Sequence, residues 1–224
     1  MDWARVIIRT AKATEPLSKP KPAIVDGVAA ELPALFEHFG INTAQRQAHF
    51  IAQSVVECMW YQTLREIWGP TDTQNRYEGR KDLGNNQKGD GKRFMGRGIF
   101  QNTGRTNYDL AQTALRKLGL TSNCIDHPEE LERPKDAAWA AGIYWDKHGL
   151  NAVADRDKTG SLISRAVNRG NANSPKKALD EDKRCKAFQH ALTEIAAAAA
   201  AKAAAATEAA ATAATAKATA AQAK

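Results

Sequence analysis

Three glutamates, Glu57, Glu66 and Glu78, lie close together in the sequence. Two of them could act as a catalytic pair of carboxylates. Hydrolysis of a glycosidic bond requires one carboxylic acid that protonates the leaving oxygen. A second carboxylate then attacks the anomeric carbon or activates water. Glu57 together with Glu66 or Glu78 supplies these two groups. A single glutamate on a helix is usually an ordinary surface residue, so the assignment depends on what surrounds these side chains.

The segment around Glu78 is the most informative part of the chain. Residues 77–108 read YEGRKDLGNNQKGDGKRFMGRGIFQNTGRTNY and show almost no apolar periodicity. Glycines permit close backbone approaches, and Asn, Gln, Thr and Arg supply many hydrogen-bond donors and acceptors. Such a segment is either a long polar surface loop or the wall of a groove for a hydroxyl-rich ligand. Its position beside three glutamates favours the groove.

Glu57 lies near the end of a helix that the sequence predicts over residues 44–60, capped by Asn42 or Thr43. Apolar residues form one stripe on this helix, and Glu57 projects from the opposite face, alongside Phe50 and Gln53. A carboxyl beside an aromatic ring has the surroundings that raise its pKa toward the range useful to a general acid. The aromatic residues that follow are candidates for stacking on sugar rings: Trp60, Tyr61 and Trp68.

The remaining pattern predicts a mainly α-helical protein with long functional loops. Apolar spacing and capping residues indicate further helices over residues 24–39, 105–118, 134–148, 159–167 and 174–195. Residues 93–101 are the single strand candidate. Residues 1–23 form a helix-like stretch and a KPKP linker, and residues 24–195 form the folded domain. Residues 196–224 are an extension in which 20 of 29 residues are alanine, which predicts a frayed helix or disorder.

The charge and the cysteine and histidine content of the chain limit the kinds of partner and cofactor that we expect. The formal charge is +7, which favours a polyanion such as nucleic acid, a membrane surface or an acidic cell-wall polymer. No nucleic-acid-binding motif is present. Three widely spaced cysteines argue against a disulfide framework, and the histidines lack metal-ligand spacing, so we expect no metal and no cofactor. The first residues do not form a secretory signal.

Three segments together resemble glycoside hydrolase family 19, the chitinase-like fold, and in particular its bacteriophage endolysin branch. They are the helix QAHFIAQSVVE, residues 77–108 and the later AVNRGNAN, and the likeness spans roughly residues 36–192. The resemblance implies a lysozyme-like helical domain with long active-site loops and little or no β-structure. It also makes residues 24–195 the catalytic domain.

The resemblance implies a role for individual residues. Glu57 would be the general acid. The general base would be Glu78, as in plant-type members, which we favour, or Glu66, as in some endolysins. Residues that match substrate-binding positions of the family are Gln101, Thr103, Asn107, Tyr108, Asn168 and Arg184. Thr103 would also hold the hydrolytic water. Two departures are the absence of the family's histidine before Glu57 and the loss of one glycine after Asn168.

The expected function is that of an endolysin-like hydrolase, a monomer that cleaves β-1,4 bonds between amino sugars of peptidoglycan, or of chitin, with inversion. We expect synthesis in the cytoplasm and action on the cell wall after release through a lysis pore or a secretion system. We expect attraction to an anionic envelope, no stable membrane insertion and no nucleic-acid binding. The first alternative is a non-catalytic wall-glycan-binding module. The second, a basic nucleic-acid protein, depends on charge alone.

Overall fold

The computed structural model describes residues 1–222, and this part of the chain is built from helices. Ten α-helices follow one another: α1 Trp3–Thr14, α2 Pro22–His38, α3 Ala44–Glu57, α4 Asp72–Asn75, α5 Asp90–Arg93, α6 Arg105–Lys117, α7 Pro134–Lys147, α8 Leu150–Arg156, α9 Ser161–Arg169 and α10 Glu181–Gln222. Two 3₁₀-helices, Lys81–Leu83 and Pro128–Glu132, lie in the connections. The predicted mainly α fold is confirmed.

The strand predicted over residues 93–101 is wrong. Within residues 1–222 the only extended pairings are isolated bridges, in which Arg97 pairs with Arg65 and with Asn102. Arg93 ends the short helix α5, and Gly98 and Gln101 take left-handed backbone conformations that interrupt any extended run. The segment therefore folds as a set of turns, which suits a groove wall better than a sheet edge.

Helix α3 lies at the centre of the main core. Every residue from Ala48 to Val56 is buried, and the helix packs against α10 and α1. Phe50 is fully buried, with its ring 5.4 Å from Phe36, 5.7 Å from Phe100 and 5.4 Å from Trp145. Such aromatic burial contributes much of the free energy of folding. The predicted single apolar stripe is thus replaced by burial on all sides, and the carboxyl end of α3 is fixed rigidly.

The glycine-rich segment has a small core of its own. Phe94 and Tyr108 pack edge to face at 5.1 Å, and around them lie Leu115, Cys124, Leu131 and Ala140. Polar hydrogen bonds alone would leave a loop of this composition mobile, whereas burial of two aromatic rings fixes it. The loop therefore has a defined shape from which its polar side chains project.

Two predicted boundaries differ from the observed ones. Helix α3 ends at Glu57, not at residue 60, because Met59, Trp60 and Tyr61 all take left-handed conformations with φ of 50°, 57° and 62°. The final helix begins at Glu181, not at residue 174. The Glu181 carboxylate pairs with Arg165 and accepts the N–H of Ala178, so the preceding residues form a turn that is tied to α9.

The first and the last helix of the described residues both join the main core. Helix α1 places Trp3, Val6 and Ile7 in the same core as α3. Helix α10 contributes Phe188 and Ile195 to that core and then continues through the alanine-rich segment to Gln222. Residues 223 and 224 of the predicted extension lie outside the described residues. Within residues 1–222, no helix combines the length and the apolar character that crossing a membrane requires.

Candidate active site

Glu57 is held by a buried arginine at the carboxyl end of α3. The Nη2 atom of Arg184, on α10, lies 2.7 Å from the Oε1 atom of Glu57. The Arg184 side chain is 4% exposed, whereas Glu57 is 17% exposed. A carboxylate at this position is thus open to solvent on one side and fixed by a charged hydrogen-bond donor on the other. The resemblance had placed Arg184 among the substrate-binding residues, and its contact with Glu57 comes from the structure.

Arg184 is itself fixed by neutral partners. Its Nη1 atom donates to the Oε1 atom of Gln53 at 2.7 Å, and its Nε atom donates to the carbonyl of Leu179 at 2.9 Å. Gln53 lies one turn before Glu57 on α3 and donates in turn to the Ser164 hydroxyl at 3.3 Å. A guanidinium held at three of its nitrogen atoms has little freedom to rotate. The orientation of Glu57 is therefore set from the core.

The predicted aromatic wall beside Glu57 is wrong in detail. Phe50 lies in the core among other rings and is 0% exposed, so it does not border an open site. The ring near Glu57 is that of Tyr144, on α7. Burial, and next the negative charge of Glu57, raise the pKa of Tyr144 to about 12. Tyr144 donates to the carbonyl of Val167 at 3.3 Å and packs 5.2 Å from Phe100.

Glu66 is half-buried and is built into the glycine-rich segment. Its Oε1 atom accepts the N–H of Gly96 at 2.6 Å, and its Oε2 atom accepts from Nε2 of Gln74 at 3.0 Å. Gln74, 5% exposed, also accepts the N–H groups of Gly69 and Thr71. The phenol of Tyr77 lies near Glu66: burial, and then the charge of Glu66, raise the pKa of that phenol.

Glu78 occupies a different position. It is exposed, yet its two oxygens accept the N–H groups of Gly89 at 2.6 Å and Gly91 at 2.8 Å. A β-carbon on Gly91 would lie 2.7 Å from the backbone nitrogen of Glu78, so only glycine allows this approach. Both oxygens of Glu78 thus fasten the start of α5 to the preceding turn.

Gln101 and Thr103 lie next to Glu66. A β-carbon on Gly96 would come within 2.5 Å of the Gln101 Oε1 atom and 3.2 Å of the Thr103 hydroxyl. Because the N–H of Gly96 binds Glu66, these side chains and the carboxylate meet at one glycine. Gln101 has a left-handed φ of 50°, and its Nε2 atom donates to the Gly98 carbonyl at 3.1 Å. The structure therefore brings an amide, a hydroxyl and a carboxylate together.

Tyr108 is a correction to the predicted binding residues. It is 0% exposed and donates to the Met95 carbonyl at 2.5 Å, while Arg97 donates to its hydroxyl at 2.9 Å. A side chain so enclosed supports the loop and does not contact a ligand. Asn107 is exposed and donates to the Thr103 carbonyl at 2.8 Å. Its side chain thus stays within reach of a ligand while fixing Thr103.

Asn168 supports Arg184 indirectly, through a hydrogen bond to Leu179 in the turn before α10. Its Oδ1 atom accepts the N–H of Leu179 at 2.9 Å, and the carbonyl of the same leucine accepts from Arg184. Asn168 and Arg184 thus share one residue, although 16 positions separate them in the sequence. The asparagine therefore acts on the turn that positions Arg184, a role that its place in the AVNRGNAN motif did not reveal.

A groove of about 710 Å³ opens beside these residues, between α6 and α7. Its walls include Gln101, Asn107 and Tyr144, and Phe100 contributes to its floor. The lining thus includes Gln101, which meets Glu66 at Gly96, and Tyr144, whose pKa the charge of Glu57 raises. Glu57 and Glu66 do not line the groove themselves, and each lies near one residue that does.

Four residues of the site were not assigned from the sequence. The sequence could have indicated Gln53, because it lies one turn before Glu57 on the same helix face. It indicated Gln74 less clearly, through the capping box that Thr71 and Gln74 form at the start of α4. Nothing in the sequence indicated Tyr77 and Tyr144, since tertiary folding alone brings them to the carboxylates.

Of the aromatic residues proposed for stacking on sugar rings, Tyr61 is 0% exposed, and the Trp60 ring packs under Lys183 at 4.9 Å.

Cys58 and His49 are both buried and occupied by contacts within the core. Cys58, which follows Glu57, is fully buried; burial raises its pKa to about 12, and its thiol donates to the Ser54 carbonyl. His49 bonds the Asp157 carbonyl and stacks on Phe188, away from Cys58. In the part of the chain that the structure describes, no three His, Cys, Asp or Glu side chains are grouped so that they could bind a metal ion.

Comparison with known proteins gives one informative similarity. Over 197 residues the chain is 28% identical to a "Glycosyl hydrolase family 19 domain-containing protein" of Haemophilus influenzae. The alignment covers 75% of this chain and 89% of that protein. The similarity points to glycoside hydrolase family 19, as the motifs do. No family model matches the chain.

Proposed function

We propose that this protein is a glycoside hydrolase that cleaves β-1,4 bonds between amino sugars of peptidoglycan by general acid and base catalysis with inversion. One observation carries the proposal: a partly exposed carboxylate, Glu57, is fixed by Arg184, which is buried and bound to Gln53. Placing a charged group so firmly at a solvent-open position has no evident benefit for folding alone. The arrangement suits a group that must meet a bound sugar in one orientation.

Glu57 is assigned as the general acid. Arg184 contacts its Oε1 atom, so the proton is assigned to Oε2, which donates it to the leaving glycosidic oxygen. Departure of the leaving group turns Glu57 into a carboxylate, and Arg184 stabilises that product charge. The arginine thus assists the step in which negative charge develops on the acid.

We propose Glu66 as the general base, although the sequence favoured Glu78. Glu66 shares Gly96 with Gln101 and Thr103, so a water held by the Thr103 hydroxyl would lie near its carboxylate. Glu66 accepts the proton of that water as the oxygen attacks the anomeric carbon. Glu78 instead binds the N–H groups of Gly89 and Gly91 and shares no glycine with Gln101 and Thr103, so it is assigned the role of fastening the loop.

The remaining groups of the site bind the sugar chain. The Gln101 and Asn107 amides, on the wall of the groove, are suited to sugar hydroxyls and acetamido groups. A net charge of +7 favours an anionic envelope polymer over neutral chitin. We therefore propose that the protein acts as a monomer on the cell wall. It would reach the wall from the cytoplasm through a lysis pore or a secretion system, without inserting in the membrane or binding nucleic acid.

The decisive experiment is the Glu57→Gln substitution. Removing a general acid lowers turnover by at least about a hundredfold, while an amide of the same shape preserves the packing. Turbidity of purified walls measures activity, and mass analysis of the released fragments identifies the sugar at each new reducing end. The amide oxygen of the variant can still accept from Arg184, so the protein should stay folded, although loss of the charge beside a buried guanidinium should lower the free energy of unfolding. Thermal unfolding checks that the variant is folded.

Glu194→Gln is the matched control. Glu194 also pairs with an arginine, Arg9, at 3.1 Å, but that pair includes no residue assigned to the site. This variant should retain the parent activity. A Glu57→Gln protein that clears walls at the parent rate would refute the proposal.

A non-catalytic glycan-binding module is the second candidate, and the Glu57–Arg184 ion pair is the observation that favours it. An oxygen in contact with an arginine cannot at the same time present a proton to substrate. A binding module would sediment with purified walls, leave their turbidity unchanged and release no fragments. The same assay with the parent protein therefore separates the two candidates.

A further inference from the structure

The groove between α6 and α7 extends well beyond the carboxylates. Gln101 and Tyr144, which lie near the carboxylates, line it together with residues of both helices and with Phe39. Its volume of about 710 Å³ lies within the range of about 300–1,000 Å³ that is usual for ligand pockets. Because Glu57 and Glu66 are not among the lining residues, a sugar chain held at the carboxylates leaves room in the groove for another part of the substrate.

The walls of the groove are largely apolar. Leu110 is 49% exposed although it is a leucine on α6, and Ile143 and Phe39 are only partly buried opposite it. Exposed apolar side chains that line a concavity are typical of a ligand site. Hydroxyl-rich sugar edges would gain little from such walls.

The rim of the groove carries charge. Lys117 on α6 and Lys147 on α7 are exposed and line it from opposite sides, and Asp146 lies beside Lys147. Neither lysine takes part in an ion pair within residues 1–222. Two free ammonium groups and one carboxylate around apolar walls suit a ligand that carries several carboxylates, short apolar side chains and an amine.

We propose that this groove binds the peptide stem of peptidoglycan, the short acidic peptide that the muramyl sugar carries on its lactyl ether. The inference rests on the proposed function, because it assumes that the sugar chain lies at Glu57 and Glu66. Alanine methyl groups of the stem contact the apolar walls, its free carboxylates meet Lys117 and Lys147, and its amine meets Asp146. Chitin has no such branch, so the groove makes the site selective for peptidoglycan.

The test compares the binding of two soluble probes to the full chain by calorimetry. One is the disaccharide of the wall with its peptide stem, and the other is the same disaccharide after an amidase has removed the stem. Two exposed ion pairs should make the stem-bearing probe bind between about twofold and thirtyfold more tightly. High salt should reduce this preference.

The double variant Lys117→Glu/Lys147→Glu should abolish the preference and leave the affinity for the stem-free probe unchanged. Lys186→Glu/Lys202→Glu is the matched control, since both lysines are exposed on α10 and carry the same change of charge. Ala114→Trp, on the α6 wall, should also abolish the preference by filling the groove without altering the charge. Thermal unfolding checks that each variant is folded.

Equal affinity of the parent protein for both probes, or an unchanged preference in the double variant, would overturn the inference. So would a loss of stem-free binding in Ala114→Trp, because the groove would then be a subsite for sugar. Binding is measured without turnover, so these outcomes are separate from the fate of the proposed hydrolysis. Wall clearance without stem preference leaves the hydrolase proposal standing and removes only this inference.

Discussion

The three carboxylates of the site differ in the hydrogen bonds that they already accept. Glu57 contacts Arg184 through one oxygen, Glu66 accepts from Gly96 and Gln74 with one oxygen each, and Glu78 accepts from two backbone N–H groups of a turn. Loss of a catalytic base lowers turnover, whereas loss of a residue that fastens a turn lowers stability. The three carboxylates can therefore be separated by experiment.

Glu66→Gln and Glu78→Gln are expected to act differently. Loss of the base at position 66 should lower the turnover number by about a hundredfold or more with little change of the Michaelis constant. Loss of the carboxylate at position 78 should mainly lower the melting temperature, because two backbone N–H groups lose a charged acceptor. Steady-state kinetics and thermal unfolding of both variants check this. The reverse pattern would return the role of base to Glu78.

His49 makes stability depend on pH. The ring is 0% exposed, its Nε2 atom bonds the Asp157 carbonyl at 2.9 Å, and its Nδ1 atom has no partner. Burial lowers its pKa, an effect that the nearby Asp157 opposes and Lys158 reinforces. The unfolded chain therefore binds a proton, near pH 6.5, that the folded ring resists. This contribution to stability is complete above about pH 6.5 and is lost as the pH falls below it.

The free energy of unfolding, measured by denaturant titration at several pH values between 5 and 7.5, should thus fall on acidification. His49→Phe should show a shallower fall, although it loses one hydrogen bond. His148→Gln is a useful control, because burial and Lys147 lower the pKa of that exposed histidine too. A slope that persists in the His49 variant and disappears in the His148 variant would contradict the assignment.

The turn after α3 shows how a short element shapes the site. Met59, Trp60 and Tyr61 adopt left-handed conformations, each of which costs a side chain about 1–2 kcal/mol relative to the right-handed region. Trp60 and Tyr61 are retained by packing: Lys183 lies over the Trp60 ring, and Tyr61 is buried and donates to Ser54. Met59 is 39% exposed and has no such compensation.

Met59→Gly should therefore stabilise the protein by about 0.5 kcal/mol, since relief of the backbone strain exceeds the added entropy of the unfolded chain. Leu17→Gly, at another exposed apolar residue in a turn but without a left-handed backbone, should slightly destabilise it. Denaturant titration of the two variants decides the comparison. Destabilisation by both would show that the Met59 side chain makes a contact that outweighs the strain.

Local pattern predicted the long elements well and the turns poorly. The helices from Arg105 and Pro134 begin where capping and periodicity placed them. Helix α3 stopped early because tertiary packing of Tyr61 overrides the helical periodicity that continues to Met59. The carboxylates Glu57 and Glu66 could be singled out from residue type and spacing. Arg184 was named only through the family resemblance and Tyr144 not at all, because both arrive from helices more than 80 positions beyond Glu57.

At the scale of the whole molecule, one core accounts for the helices that hold the site. Ile195 is 2% exposed and belongs to this core, whereas residues 199–209 of the same helix are exposed. Removal of residues 203–224 should therefore change the free energy of unfolding by no more than about 0.5 kcal/mol. Ile195→Ala should cost about 2–5 kcal/mol, because it leaves a cavity beside α1 and α3.

Thermal unfolding of the shortened chain and of the Ile195 variant gives the comparison, and wall clearance shows whether the shortened chain keeps its activity. A large loss of stability on truncation would mean that the alanine-rich segment takes part in folding. That result would assign the segment a structural role that its exposed surface does not suggest.

Helix α10 runs without interruption from the arginine that orients Glu57 to Gln222. At about 1.5 Å of rise per residue, the stretch after Lys202 spans roughly 30 Å. Cargo attached at Gln222, such as a fluorophore, a bead or a fused binding domain, would lie about that far from Lys202. The helix thus offers an attachment point for tethering the protein to a surface at a distance from the core that Ile195 closes.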